Sequence, residues 1–473
     1  MKLFIKNIFG SVVSRLSIRI LTFSASIITA RLLGPDEFGI VGYALVTIAI
    51  LNVFTEFGVK MTLIQYQGNV KPLLKTAFTI NIIRGLIIGV ILFLSSEFIS
   101  VFFSEPRLEG VIKLISTIPL LIGFKNINME LEEKNSRFSK IFRLEIISSV
   151  VSFISVISLA LILENAYAII ISQILLTITQ LLLSYVFFKP KFALGLNQSS
   201  IKIIFKYGKW YFSSSLLFFG YTQFDKIIVG KIFSTQQLGL YQLANSLIAT
   251  PLNEISKSFS RVLFPSYSNM QENKIKLKKS FSVMVYSLSF VNIFVCLFIF
   301  LTANFFVNIL LGEKWLESIE LIKYLSIAYA VNGVMNAGKG ILSGTGNPKI
   351  MTYISLIKTS VLFVFYFLLF ESFGIIGFPI SLIIANMISL FFWIYFVSKI
   401  LKMNYKDWLF VLFPLILSLV TCLFLLLLNN RYTLLSEFYL LSSILFIFVI
   451  LFLFYSSKSK INYLKIITEY LKK

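Results

Sequence analysis

Arg15 and Arg19 stand four residues apart in GSVVSRLSIRIL, inside a stretch that is otherwise apolar or hydroxylated as far as Ala30. A spacing of four puts both guanidiniums on one face of a helix. Each offers a planar donor fork suited to phosphate or carboxylate oxygens. Counted from Lys6 at about 1.5 Å per residue, Arg15 lies roughly 13 Å and Arg19 roughly 20 Å along such a helix. Arg15 can partly reach back to a membrane surface, whereas Arg19 is too deep to do so comfortably. A charge at the centre of a bilayer costs at least ~2.5 kcal/mol. Both arginines are therefore expected to face an interior or a water-filled cavity, where a diphosphate would be a fitting ligand. Structural pairing with Asp225 or Glu56 is the competing reading.

Other charges fall at similar depth. Asp225 and Lys226 are adjacent, so on a helix they point about 100° apart and need not pair with each other. Asp225 is the candidate proton-carrying group, with Glu56 the alternative and a structural ion pair the competing role. Arg84 and Lys358 each sit roughly 12 Å in from the cytoplasmic end of an apolar segment, which is compatible with lining a cavity or with snorkelling to the surface. Arg261 is the expected partner for a substrate phosphate in the second half of the chain, while Lys60, Lys257 and Lys339 read as surface anchors. The chain has no histidine, which removes imidazole acid–base chemistry and the commonest metal ligand. Cys296 and Cys422 both lie in apolar stretches, so neither a disulfide framework nor a thiolate metal site is indicated. Gly338-Lys339-Gly340 and Gly344-Thr345-Gly346 lack the GxxxxGK[ST] pattern of a nucleotide-binding loop. No enzyme, no metal and no cofactor is expected.

The elements that must position these residues are membrane helices. Of 473 residues, 57% are hydrophobic, 16% aromatic and only 14% charged, and apolar segments of about 20 residues recur along the whole chain. Hydropathy and helix breakers predict spans near 8–30, 38–60, 76–103, 111–128, 142–163, 166–188, 205–230, 238–264, 281–311, 319–343, 350–370, 375–397, 408–428 and 433–455. With the amino terminus cytoplasmic, basic residues concentrate in the cytoplasmic gaps and tail. The opposite side holds Arg31, Arg107, Lys113, Lys231, Lys314 and Arg431. That asymmetry is the positive-inside pattern, so most of the net charge of +22 reads as an orientation signal facing anionic lipid rather than nucleic acid. Both termini are expected to be cytoplasmic, with Met1 retained because no signal-peptide cleavage site closes the first span. The external loops are short, which argues against a polysaccharide polymerase.

The expected fold is an all-α polytopic membrane protein of fourteen helices. It divides into a six-helix lobe (1–188), a cytoplasmic linker (189–204), a second six-helix lobe (205–397), two additional helices (398–455) and a basic tail (456–473). Identities 200 positions apart, including Lys6/Lys206, Ser14/Ser214, Gly39/Gly239 and Ala44/Ala244, fall on the first hairpin of each lobe. Six helices return the chain to the same side, so the lobes would be parallel repeats.

ARLLGPDEFGIVGYA, the stretch from Tyr207 to Pro265, and GILSGTGNPK together resemble the polysaccharide-flippase branch of the multidrug/oligosaccharidyl-lipid/polysaccharide exporter superfamily, and most of all its Wzx-type members. The resemblance implies alternating access for an undecaprenyl-diphosphate-linked oligosaccharide of O-antigen, capsule or exopolysaccharide in the bacterial cytoplasmic membrane. It further implies first-helix arginines lining a cationic cavity, a role that would fall to Arg15 and Arg19. The expected partners are the lipid-linked oligosaccharide, membrane lipids, and the polymerase and export machinery. The alternative function is multidrug export within the same superfamily.

Overall fold

The computed structural model describes residues 2–427 except 56–58, 67, 69, 136–137, 189–193, 270–273 and 345–347. Among the described residues every regular element is helical. In order these are α1 (Lys2–Leu33), α2 (Pro35–Thr55), α3 (Val59–Gln65), α4 (Lys71–Phe103), α5 (Arg107–Ile115), α6 (Thr117–Gly123), α7 (Asn128–Lys134) and α8 (Ser139–Leu163). They continue as α9 (Tyr167–Phe187), α10 (Gln198–Ile232), α11 (Thr235–Asn269), α12 (Lys274–Phe306), α13 (Ser318–Gly344), α14 (Pro348–Phe373), α15 (Gly377–Leu401) and α16 (Tyr405–Leu427).

The ends of these helices follow local chemistry. Gly34 adopts φ 90° between α1 and α2, a left-handed turn that a glycine makes without steric cost, and Pro35 then opens α2 with its fixed φ. Asn197 caps α10, its side chain accepting from the Ser199 and Ser200 amides at 2.9 and 3.4 Å, which satisfies two otherwise orphaned donors. Pro72 enters α4 in its first turn, where its missing N–H costs nothing.

Five segments are long and apolar enough to cross a membrane among the described residues: Pro72–Phe103, Ser139–Leu163, Tyr167–Phe187, Leu277–Leu311 and Lys349–Leu401. The chain is a membrane protein by this criterion. A sixth span arises if Arg107–Gly123 and Asn128–Lys134, bent by 62° at their break, are counted together. That region was expected as one span over 111–128. It is broken because Asn126 takes the chain out of helical register: its amide donates to the carbonyls of Ser184 and Phe188 at 3.2 and 2.5 Å, and its Oδ1 accepts from the Asn128 amide at 3.0 Å. Such side-chain bonds compete with the helical ladder. The fourteenth predicted span and the tail lie outside the described residues.

The chain forms two compact units, Met1–Gln242 and Leu243–Lys473. In the first, α8 and α9 form an antiparallel hairpin, α1 runs along α8, α4 packs on α5 and α6, and α10 packs on α2. Lys231 on α10 donates to the Phe102 carbonyl at the end of α4, and the Tyr43 hydroxyl of α2 donates to the Gly230 carbonyl at 2.8 Å. In the second unit, α12 packs on α13 and α16, and α15 packs on α14 and α13. Phe281, Trp393 and Trp408 join three of these helices through ring contacts at 5.5–6.4 Å, and the Trp408 indole donates to Ser398 Oγ at 2.6 Å.

Candidate functional site

Gln173, Thr177 and Gln180 sit four and three residues apart on α9, so they form one polar stripe on a mostly apolar helix. Opposite them α6 ends at Gly123, and the break that follows presents Lys125. Its ammonium donates to Gln180 Oε1 at 2.6 Å. Arg84 of α4 completes the wall. These groups line a cavity of about 190 Å³ whose remaining lining is Ile48, Gly85, Ile88, Ile118, Pro119, Ile122 and Leu176. The close approach that shapes it depends on glycine: a Cβ on Gly85 would stand 2.5 Å from the Pro119 carbonyl oxygen, and one on Gly123 would stand 2.6 Å from that of Asn81. A helix backbone can come this near only where no side chain intervenes.

Arg84, Ile122, Lys125 and Gln180 also line a second space of about 340 Å³, together with Asn81, Asn126, Lys60, Glu130 and Glu145. Here charges of both signs occur. Lys60 is held between Glu130 and Glu133 at 3.5 and 2.8 Å, and Lys134 donates to the carbonyls of Leu63 and Tyr66. The first compartment thus has cations alone in its lining and the second has mixed charge.

Of the residues singled out from sequence, Arg84 lines both spaces and Lys60 lines the second. Arg19 is exposed on α1, and its backbone carbonyl accepts from Thr22 at 3.1 Å. Arg15 and Arg261 are described as backbone positions on α1 and α11, and Glu56 lies outside the described residues. Asp225 and Lys226 take different partners: the carboxylate accepts from the Tyr241 hydroxyl at 2.8 Å, while Lys226 donates to Gln223 Oε1 at 2.9 Å. Lys358 is 4% exposed on α14 and donates to Asn332 Oδ1 of α13 at 3.2 Å. Lys60, expected as a surface anchor, has a half-exposed side chain that is ion-paired with Glu130 and Glu133. No group of histidine, cysteine or carboxylate side chains among the described residues could hold a metal ion.

Sequence reasoning missed Lys125 and the α9 stripe. The signals were present in GFKN, which interrupts an apolar run with a glycine and two polar residues, and in QILLTITQ, whose polar positions recur at helical spacing.

Comparison with known proteins places this geometry in context. Residues 28–320 match the family described as polysaccharide biosynthesis protein. A Klebsiella pneumoniae protein described as an uncharacterized membrane protein in the cps region is 25% identical over 442 residues, covering 88% of both chains. The Escherichia coli K12 lipopolysaccharide biosynthesis protein WzxC is 23% identical over 398 residues, covering 83% of this chain and 81% of the relative. Among solved structures, the lipid II flippase MurJ in an inward closed conformation superposes with a TM-score of 0.72 over 94% of this chain and 98% of its own, at 15% identity. At that identity the match speaks for the fold.

Proposed function

This chain belongs to the polysaccharide biosynthesis protein family, and from that membership we propose that it translocates a lipid-linked oligosaccharide across the bacterial cytoplasmic membrane without making or breaking covalent bonds. The cargo is an undecaprenyl-diphosphate-linked repeat unit of a surface polysaccharide. A polar oligosaccharide cannot cross hydrocarbon unaided, because each unsatisfied polar group costs several kcal/mol. A hydrated interior opening to one side at a time removes that cost while the lipid tail stays in the bilayer.

The observation that carries this reading is the sign of the charge that lines the first unit's inner cavity. Arg84 and Lys125 line the first unit's cation-only cavity, and Lys358 is nearly inaccessible within α14 of the second unit. Basic interiors suit a diphosphate and disfavour the cationic compounds that a multidrug exporter of this fold would carry. Arg15, Arg19 and Arg261 are further diphosphate contacts in this reading, and Asp225 with Lys226, or Glu56, couples the cycle to an ion. The architecture proposed with it is fourteen helices in two six-helix lobes, 1–188 and 205–397, followed by two additional helices, with both termini cytoplasmic. Polymerase and export components of the same polysaccharide system would receive the product outside.

Deletion of the gene tests the function. The expected result is loss of the surface polysaccharide with lipid-linked repeat units accumulating in the inner leaflet. Undiminished polysaccharide in the deletion strain, or repeat units accumulating in the outer leaflet, would overturn it.

A further inference from the structure

We propose that the polar face of α13 formed by Tyr329, Asn332 and Asn336, together with Asn245 of α11, binds the saccharide part of the cargo through neutral hydrogen bonds and so helps to set which repeat unit the protein accepts. This subsite rests on the translocation reading for its cargo. It adds to that reading a group of neutral residues in the second unit that no step has yet used.

Tyr329, Asn332 and Asn336 recur at i, i+3 and i+7 around the midpoint of α13, so they share one face of the helix. Ala328, Ala330, Val331, Val334 and Met335 around them are buried. The three polar residues keep partial exposure. Hydrocarbon cannot cover such a face, because its amide and hydroxyl groups would lose their water with nothing in exchange. It therefore borders a wet interior or the cargo itself. Packing holds the face in place: the Tyr329 hydroxyl donates to Asn245 Oδ1 at 2.7 Å, and the Lys358 ammonium of α14 donates to Asn332 Oδ1 at 3.2 Å. The Asn386 amide of α15 donates to the Ala328 carbonyl at 2.8 Å, which fixes α13 from another side.

Asn336 differs from its neighbours. Its Oδ1 is shielded from solvent and has no hydrogen-bond partner among the described residues, and an acceptor left in that state calls for an explanation. The residue as a whole is partly exposed, so rotation about its broad χ2 turns this oxygen to the open side. Asn245 and Asn332 both accept through Oδ1, which leaves their amide N–H groups as donors. Tyr329 contributes an aromatic body with a polar tip. Two donor amides and one open acceptor match hydroxyl groups, each of which donates and accepts. A phosphate dianion brings acceptors only and leaves Asn336 Oδ1 unpaired. The Lys358 cation beside the face is 4% exposed and bonded to Asn332, so a ligand meets neutral groups first. None of these contacts is a carboxylate that would draw a cationic compound. A polyol, the chemistry of a sugar, is the class that this face satisfies.

The test uses the purified full-length protein in nanodiscs with two lipids, the lipid-linked repeat unit extracted from the deletion strain and bare undecaprenyl diphosphate. Affinity for each is read from the rise of melting temperature with lipid content. The wild type is expected to bind the extracted lipid more tightly than the bare one. Asn336→Leu and Tyr329→Phe are each expected to weaken binding of the extracted lipid about fivefold, the loss of one neutral hydrogen bond, while leaving affinity for the bare lipid unchanged. Asn336→Leu removes no side-chain hydrogen bond among the described residues, so its melting temperature without lipid is expected to match wild type and excludes misfolding as the cause. Three results overturn the subsite and leave translocation standing: equal wild-type affinity for the two lipids, full affinity for the extracted lipid in both variants, or equal loss of both lipids. Water alone then occupies the face. A wild type that binds neither lipid, or a deletion strain that accumulates no such lipid, overturns the translocation reading together with the subsite.

Discussion

Arg107 at the start of α5 holds two carboxylates at once. Its Nε and Nη2 donate to Glu105 at 2.9 and 3.0 Å, and Nη1 donates to Glu37 at 2.9 Å. Glu37 in turn accepts from the Ala166 amide at 2.6 Å, and Glu105 from the Thr235 hydroxyl at 2.9 Å. One cluster thereby ties the starts of α2, α5 and α11 to the α8–α9 turn. The Arg107 guanidinium holds the Glu105 carboxyl below its ordinary range. A carboxylate whose folded value is depressed contributes stability above its unfolded value of about 4.3, and that contribution is lost as pH falls through the folded value. Thermal melts of the purified protein are therefore expected to be insensitive to this cluster between pH 7 and 5 and to drop below about pH 4. Arg107→Met should lower the neutral-pH melting temperature and shrink that acid drop. An acid limb identical to wild type would contradict the assignment. Asp225 makes a second prediction at this scale. Tyr241→Phe removes a hydrogen bond to a charged group and should cost about 1.5–3 kcal/mol of stability. Asp225→Asn keeps an acceptor for Tyr241 but removes the charge, so if coupling uses that charge, transport falls while the protein still accumulates. Normal surface polysaccharide in the Asp225→Asn strain would reduce Asp225 to a structural acceptor.

Among the elements, α2 and α11 meet through a reciprocal contact. A Cβ on Gly39 would overlap the Thr235 carbonyl oxygen, and a Cβ on Gly239 would overlap the Pro35 carbonyl oxygen. Pro35 and Thr235 open their helices, and like the two glycines they are 200 positions apart. The obstructing atoms are backbone, so no rotamer change relieves an added methyl and the helices must move. Overpacking of this kind costs about 1–3 kcal/mol. Gly39→Ala and Gly239→Ala should each destabilise by that amount in thermal or denaturant melts. Gly42→Ala, whose Cβ would meet the Leu238 side chain at 3.3 Å and Gln242 Cβ at 3.8 Å, should cost less. Equal, near-zero effects at all three positions would mean that the crossing is looser than described. The Gly39/Gly239 identity was visible in the sequence, but its meaning was not, because identity at a fixed offset says nothing of which atoms touch. The long apolar helices were legible for the reason that hydropathy works at all: α8 and α9 carry few interruptions over the length of a bilayer. The break after α6 was not legible, since Asn126 acts through carbonyls near residue 188, far along the chain. Lys125 escaped for the same reason. Its role depends on a partner on α9, 55 positions away, whereas Arg15 and Arg19 announced themselves through their own local spacing.

For the whole molecule, the orientation proposed rests on the distribution of basic residues. Ser199, in the first turn of α10 and bonded to the Asn197 cap, is expected on the cytoplasmic side. Both native cysteines, Cys296 and Cys422, are buried and can be replaced by alanine to give a background for labelling. A cysteine at position 199 should resist an impermeant maleimide in intact cells and react after permeabilisation, and reaction in intact cells would invert the topology. The central claim, translocation of an anionic lipid-linked oligosaccharide through a basic interior, is tested most directly in proteoliposomes. The measurement is the rate at which an undecaprenyl-diphosphate oligosaccharide crosses to the opposite leaflet, for wild type and for normally inserted Arg19→Ala, Arg19→Lys and Lys358→Met proteins. The account predicts protein-dependent crossing that Arg19→Ala and Lys358→Met reduce at least tenfold and Arg19→Lys reduces in part, because lysine keeps the charge and loses the donor fork. No crossing above protein-free vesicles by the wild type, or wild-type rates in all three variants, would contradict it.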